Sequence, residues 1–184
     1  MNSEISGRLI ITLVGRMAEG KGQLDAVKAC QSIYQAGIDF QLDLLGELGN
    51  DGYSQSLKTL IESVAYSDKI HLQGFVEDTP SFLSATDIFL FPSSGEGMPN
   101  AFIEAMHYEL VCIAYENTVF PEFIEMGFYI RLVKDGDIDV LSQTLLEVAS
   151  DIDNEKQRSK KNGELAKSYF QSERELGQWH QLLI

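Results

Sequence analysis

Apolar residues along this chain fall into short unbroken runs, and between the runs they recur every three or four positions. The runs predict buried strands over 9–14, 40–45, 70–73, 88–91, 111–114 and 129–132. The spaced stretches predict helices over 24–34, 54–66, 79–84, 100–108, 122–125 and 138–149. Strands that are apolar on both sides belong in a sheet covered on both faces, and a regular alternation of strand and helix makes that sheet parallel. The expected architecture is therefore α/β, with about six parallel strands flanked by helices. After Ser150 the pattern changes to two mostly polar helices, over 155–170 and 173–183. In the second, Trp179, Leu182 and Leu183 form an apolar stripe, expected to pack on the domain's own core rather than on another domain.

Composition narrows the class. A chain of 184 residues with 44% apolar content is one globular domain with room for a sizeable core. Its formal charge of −14 argues against nucleic acid or an anionic membrane surface as principal partner, since both are bound through clustered Lys and Arg. Any anion site must then be local. The apolar run over 9–14 is too short to span a bilayer and follows no signal-peptide pattern, so a cytoplasmic setting is expected. Cys30 and Cys112 suggest neither a disulfide framework nor a zinc site, and are read as small core residues.

The chemistry concentrates after two of the strands. Glu96 and Glu104 are separated by seven residues in Glu96-Gly-Met-Pro-Asn-Ala-Phe-Ile-Glu104, directly after the run ending at Phe91. Pro99 is expected as the first residue of a helix, which places Glu96 in a loop and Glu104 inside the helix. Amides following Pro99 then face a crevice at the carboxyl end of a strand, where open α/β sheets bind ligands and a helix start favours anions. Carboxylates accept hydrogen bonds from neighbouring hydroxyls, so Glu104 suits a ribose diol and Glu96 the hydroxyls of a second sugar. A glycosidase acid/base pair is the rival reading, with no second substrate face to support it.

The strand over 9–14 runs into Gly15-Arg-Met-Ala-Glu-Gly-Lys21-Gly22. Arg16 offers a planar fork to phosphate oxygens and Lys21 a mobile point charge. Gly15 to Lys21 also fits the first seven places of a P-loop, but the eighth must be Ser or Thr to hold magnesium, and it is Gly22. The two Asp-x-Asp triplets in Asp135-Gly-Asp137-Ile-Asp139 resemble a divalent-metal motif, yet they precede a helix, and capping is the preferred reading. His71, His107 and His180 lack ligand spacing.

Gly15-Arg16 with Lys21-Gly22, then Gly74-Phe75-Val76, Phe91-Pro92-Ser93, and Glu96-Gly97-Met98-Pro99 through Glu104-Ala105-Met106 together resemble the retaining family 4 glycosyltransferases, from Leu9 to about Phe170 in consistent order. The resemblance implies a Rossmann-like, doubly wound donor-binding domain, the C-terminal half of a two-domain GT-B enzyme, with the residues from 155 onward as an appendage. It implies a UDP-sugar or GDP-sugar as donor and no required metal. Arg16 and Lys21 match the family's diphosphate ligands, Glu96 the contact to the transferred sugar, and Glu104 the ribose ligand. Backbone near Phe75 and Val76 faces the base, and the amides of Gly97, Met98 and Asn100 the sugar and phosphates, with Gly15 beside them. The pattern is broken at Glu109 and Val111, where the family has Gly and Pro, and at Thr118 and Val119, where a Gly pair is common. The family's N-terminal acceptor-binding domain has no counterpart here, so an excised half, inactive alone, is expected ahead of a free-standing binding module. The parent would serve a glycan or lipid-linked acceptor in cell-surface polysaccharide synthesis, held peripherally on the inner face of the membrane through the missing domain.

Overall fold

Six parallel strands, β1 (Leu9–Val14), β2 (Phe40–Leu45), β3 (Ile70–Gly74), β4 (Ile88–Phe91), β5 (Val111–Glu116) and β6 (Arg131–Lys134), form one sheet in the order β3-β2-β1-β4-β5-β6. The computed structural model describes residues 7–117 and 119–170. The connecting helices are α1 (Gln23–Gln35), α2 (Gly52–Ser63), α3 (Thr79–Ala85), α4 (Asn100–His107), α5 (Phe120–Glu125), α6 (Ile138–Ser150) and α7 (Ile152–Tyr169). This is the expected Rossmann-like fold. Its strand order reverses between β1 and β4, and open sheets of this kind bind ligands beyond the carboxyl ends at that reversal.

Alternation along each strand divides the core between the two faces. Ile88, Leu90, Val111, Ile113 and Tyr115 pack with β1, β2, α1, α2 and α6. Phe89, Phe91, Cys112 and Ala114 pack with α3, α4, α5 and α7. β4 and β5 are covered on both faces, which is why they read as unbroken apolar runs. Cys30 and Cys112 are buried as expected, and burial pushes both thiols up from their ordinary range.

Several boundaries differ from expectation. The strand expected over 129–132 begins two residues later, because Asn162 of α7 bonds both the N–H and the C=O of Tyr129, each at 2.8 Å, and withholds them from the ladder. The helix expected over 54–66 starts at Gly52, where the Asp51 carboxylate accepts from the Ser54 amide. It ends at Ser63, since Val64 turns extended and delivers Tyr66 into the core with its hydroxyl on the Val27 carbonyl. α5 starts at Phe120 rather than at 122, burying that ring, and α7 starts at Ile152 rather than at 155. β3 and β5 extend slightly past their expected ends. The helix expected over 173–183, the stripe of Trp179, Leu182 and Leu183, and His180 and Thr118 lie outside the described residues.

Candidate functional site

The loop after β1 and the loop after β4 meet at the carboxyl rim of the sheet, where the strand order reverses. The Ser94 amide donates to the Gly20 carbonyl at 2.8 Å, stitching the two loops together. Gly22, with φ of 79°, caps α1 and presses against the second loop, and a Cβ there would fall 2.0 Å from the Pro92 carbonyl oxygen. A Ser or Thr at this place is thus sterically excluded. The eighth P-loop position is Gly because the two loops close on each other.

Between the loops lies a cavity of about 280 Å³, lined by Val14, Gly15, Arg16, Lys21, Phe91, Glu96, Met98, Pro99, Asn100 and Ala101. Seven of the expected site residues, Gly15, Arg16, Lys21, Glu96, Met98, Pro99 and Asn100, are therefore brought together across 75 to 85 positions of chain. Lys21 donates to Glu96 Oε1 at 2.6 Å, and the pair is largely covered. Buried Ser93 donates to the same carboxylate oxygen at 2.5 Å, and its carbonyl accepts from Asn117 at 2.9 Å. Arg16 is exposed and, among the described residues, forms no ion pair. The Lys21 charge is thus balanced locally by Glu96, whereas the Arg16 guanidinium is not ion-paired among the described residues.

The expected residues outside the cavity lining occupy its surroundings. Gly97 is exposed between Glu96 and Met98. Glu104 is exposed on α4, three and four residues after Ala101 and Asn100, so it shares their side of the helix. Phe75, immediately after β3, is 77% exposed, and Val76 is half-buried. The amides expected to be free after Pro99 need correction. Pro99 caps the helix instead of opening it, the Asn100 N–H donates to the Met98 carbonyl, and those of Phe102 and Ile103 donate to the Pro99 carbonyl. Among first-turn residues, Ala101 lines the cavity beside Asn100.

The acidic turn after β6 is engaged in local bonds. Asp137 caps α6 by accepting from the Val140 amide at 3.1 Å, and Asp135 accepts from Ser94 Oγ at 2.6 Å. The capping reading of Asp137 therefore holds, and no group of three or more His, Cys, Asp and Glu gathers for a metal among the described residues. His71 lies 3.3 Å from the buried Asp43 carboxylate at the β3 edge, far from the cavity loops in sheet order. Sequence reasoning gave no separate role to Ser93, Asn117 or Gln23. Their polar type was visible, but the burial of Ser93 and Gln23 and the bond from Asn117 to the Ser93 carbonyl follow only from loop packing.

The family model of glycosyl transferases group 1 matches residues 2–166. The amylovoran biosynthesis glycosyltransferase AmsK of Erwinia amylovora is 33% identical over 149 residues, covering 77% of this chain and 36% of that protein. The chain spans about a third of the length of curated relatives that it matches. Among solved structures, the C-terminal domain of a group 1 glycosyl transferase from Francisella tularensis has a TM-score of 0.79 at 21% identity, covering 89% of this chain and 87% of that one. Anabaena HepE, solved in complex with UDP-glucose, has a TM-score of 0.79 at 19% identity, covering 90% of this chain and 45% of that one. At these identities the two structures establish a common fold.

Proposed function

Because the chain belongs to the glycosyl transferases group 1 family, we propose that it is the nucleotide-sugar-binding domain of a retaining, GT-B family 4 enzyme. The parent transfers a sugar from a nucleotide diphosphate to a glycan or lipid-linked acceptor in cell-surface polysaccharide synthesis. An acceptor-binding domain completes the active site and carries the enzyme to the inner face of the membrane. No described helix of this chain is long and apolar enough to cross a membrane.

The observation that carries the reading is the convergence of Arg16, Lys21, Glu96 and the start of α4 on one cavity at the strand-order reversal. In the proposal, Arg16 and Lys21 hold the donor diphosphate, with Gly15 allowing close approach. Glu96 meets the transferred sugar, and Glu104 the ribose. Phe75 and Val76 border the base, while Gly97, Met98, Pro99 and Asn100 wall the sugar and phosphates. As the bond from anomeric carbon to diphosphate lengthens, negative charge grows on the departing phosphate. Arg16, Lys21 and the α4 dipole stabilise that charge without proton transfer or a metal ion.

The two cations differ in readiness. Lys21 is engaged with Glu96 before any donor arrives, so an incoming phosphate must share or displace that contact. Calorimetric titration with UDP, GDP and their sugars, with and without chelator, tests the reading. Binding without magnesium is expected, and Lys21→Ala should weaken it about 10- to 150-fold, the worth of one charge-assisted hydrogen bond of roughly 1.5–3 kcal/mol. Absence of binding by any nucleotide would reduce the chain to an interaction module.

A further inference from the structure

We propose that Gln23 is a positioning residue for Arg16, fixing the root of a side chain whose tip forms no ion pair among the described residues. The inference rests on the diphosphate role proposed for Arg16. Gln23 is the first residue of α1 and is fully buried, an unusual place for an uncharged amide unless its polar atoms are occupied. They are. Its Nε2 donates to the Arg16 carbonyl at 3.0 Å and reaches the Gly15 carbonyl at 3.4 Å. Its Oε1 accepts from the Tyr53 hydroxyl of α2 at 2.7 Å.

The geometry fixes both peptide planes that flank the Arg16 Cα. The plane before it carries the Gly15 carbonyl, held by Gln23 on one side and crowded by Gly46 on the other, where a Cβ would lie 2.0 Å from that oxygen. The plane after it carries the Arg16 carbonyl, held by Gln23, and the Met17 N–H, which donates to the Glu47 carbonyl at 3.0 Å. With both planes fixed, the direction in which the Arg16 side chain leaves the backbone is set. A long exposed side chain otherwise loses rotamer freedom on meeting a ligand, and a directed root reduces that loss. Lys21 is ordered at its tip by Glu96. Arg16 is ordered from behind, through Tyr53 and Gln23.

Four variants of the whole chain test this: Gln23→Met, which keeps the volume and removes the donor, Tyr53→Phe, Arg16→Ala, and Arg16→Ala combined with Gln23→Met. Each is titrated with UDP and UMP, and with GDP and GMP, and the backbone order parameter of Arg16 is measured by NMR without ligand. Gln23→Met is expected to weaken the diphosphate about tenfold and the monophosphate less, and to have no further effect once Arg16 is Ala. The Arg16 amide is expected to drop from a rigid order parameter of about 0.85 toward 0.6. Tyr53→Phe should reproduce the pattern at about threefold, and it carries the test if Gln23→Met melts before titration. An equal loss for diphosphate and monophosphate, a loss that persists without Arg16, or an unchanged Arg16 amide would overturn the proposal. If the wild-type chain binds no nucleotide while the Arg16 amide still loosens in Gln23→Met, the donor reading fails and the positioning role stands as structural only.

Discussion

The two faces of the sheet are built from different materials. On one, α1, α2 and α6 cover a core mostly of Leu, Ile, Val and Ala, in which Phe40, Tyr66 and Tyr115 are the only buried rings among the described residues. On the other, Phe89, Phe91, Phe102, Phe120, Phe123, Phe128 and Phe170 form a connected aromatic cluster beneath α4, α5 and α7. Phe102 touches Phe89, Phe91, Phe120 and Phe123, with ring centroids 4.7 to 6.3 Å apart. α4 is only eight residues long and bears the start that lines the cavity. Two turns of helix have little stability of their own, so its position depends on what lies beneath it. Large flat rings bury much area per fixed torsion and interlock edge to face, which suits them to seat a short helix. The aliphatic face secures the sheet, and the aromatic face secures the site.

The comparison is broken most directly at its centre. Phe102→Ala should destabilise the chain by about 3–5 kcal/mol and also weaken UDP or GDP binding measured on the folded fraction. Leu145→Ala, fully buried on the opposite face, should destabilise by about 2–5 kcal/mol and leave affinity per folded molecule unchanged. Denaturant melts combined with calorimetry check both, and equal affinity loss in the two variants would erase the proposed division.

Alkaline titration sharpens it further, because the buried tyrosines lie on the aliphatic face. Burial raises the Tyr66 hydroxyl to about 12, and burial followed by its hydrogen bond to the Asp25 carboxylate raises Tyr115 as well. Below pH 10 the Tyr66 proton is bound in both states and its contribution is complete. Between pH 10 and about 12 the unfolded chain ionises first, so stability falls as pH rises. Tyr66→Phe should remove one proton from that slope, about 1.4 kcal/mol per pH unit, readable from denaturant midpoints across the range. An unaltered slope would refute the assignment.

The smallest effect tests how α7 seats on α4. Glu109 follows α4 with φ of 60°, a left-handed conformation that disfavours side chains, and its carbonyl accepts from Ser159 of α7 at 2.7 Å. A Cβ on Gly163 would meet Glu109 Cγ at 2.7 Å. Glu109→Gly should stabilise by roughly 0.5–1 kcal/mol, the relieved strain less the added freedom of the unfolded chain. Gly163→Ala should destabilise the wild type but stabilise the Glu109→Gly variant by up to about 1 kcal/mol, its helix-propensity gain. Thermal melts of the double-mutant cycle reveal this reversal of sign.

The strands at the centre of the sheet were legible because they are buried and β1, β4 and β5 read as apolar nearly throughout. The cation loop and the two-carboxylate segment were legible because their residue types and spacing are local. α7 was legible as a helix but not as a packed one. Half of its buried stripe, Ile152, Glu155, Ser159, Asn162, Gly163 and Ala166, is polar. Glu155 is buried there because Tyr129, Arg131 and Arg158 satisfy its carboxylate at 2.7 to 3.1 Å.

Short-range order, namely hydrophobic period, caps and the Gly, Arg, Lys and Glu types at each loop, was determined by the sequence alone, since these depend on neighbours a few residues away. Partnership was decided by the tertiary structure. Lys21 meets Glu96, Gly22 meets Pro92, Gln23 reaches back to Arg16, and Asn162 takes the strand end at Tyr129. These contacts form only once crossover helices bring distant loops to one rim, and no periodicity along the chain encodes which polar group will be buried beside which.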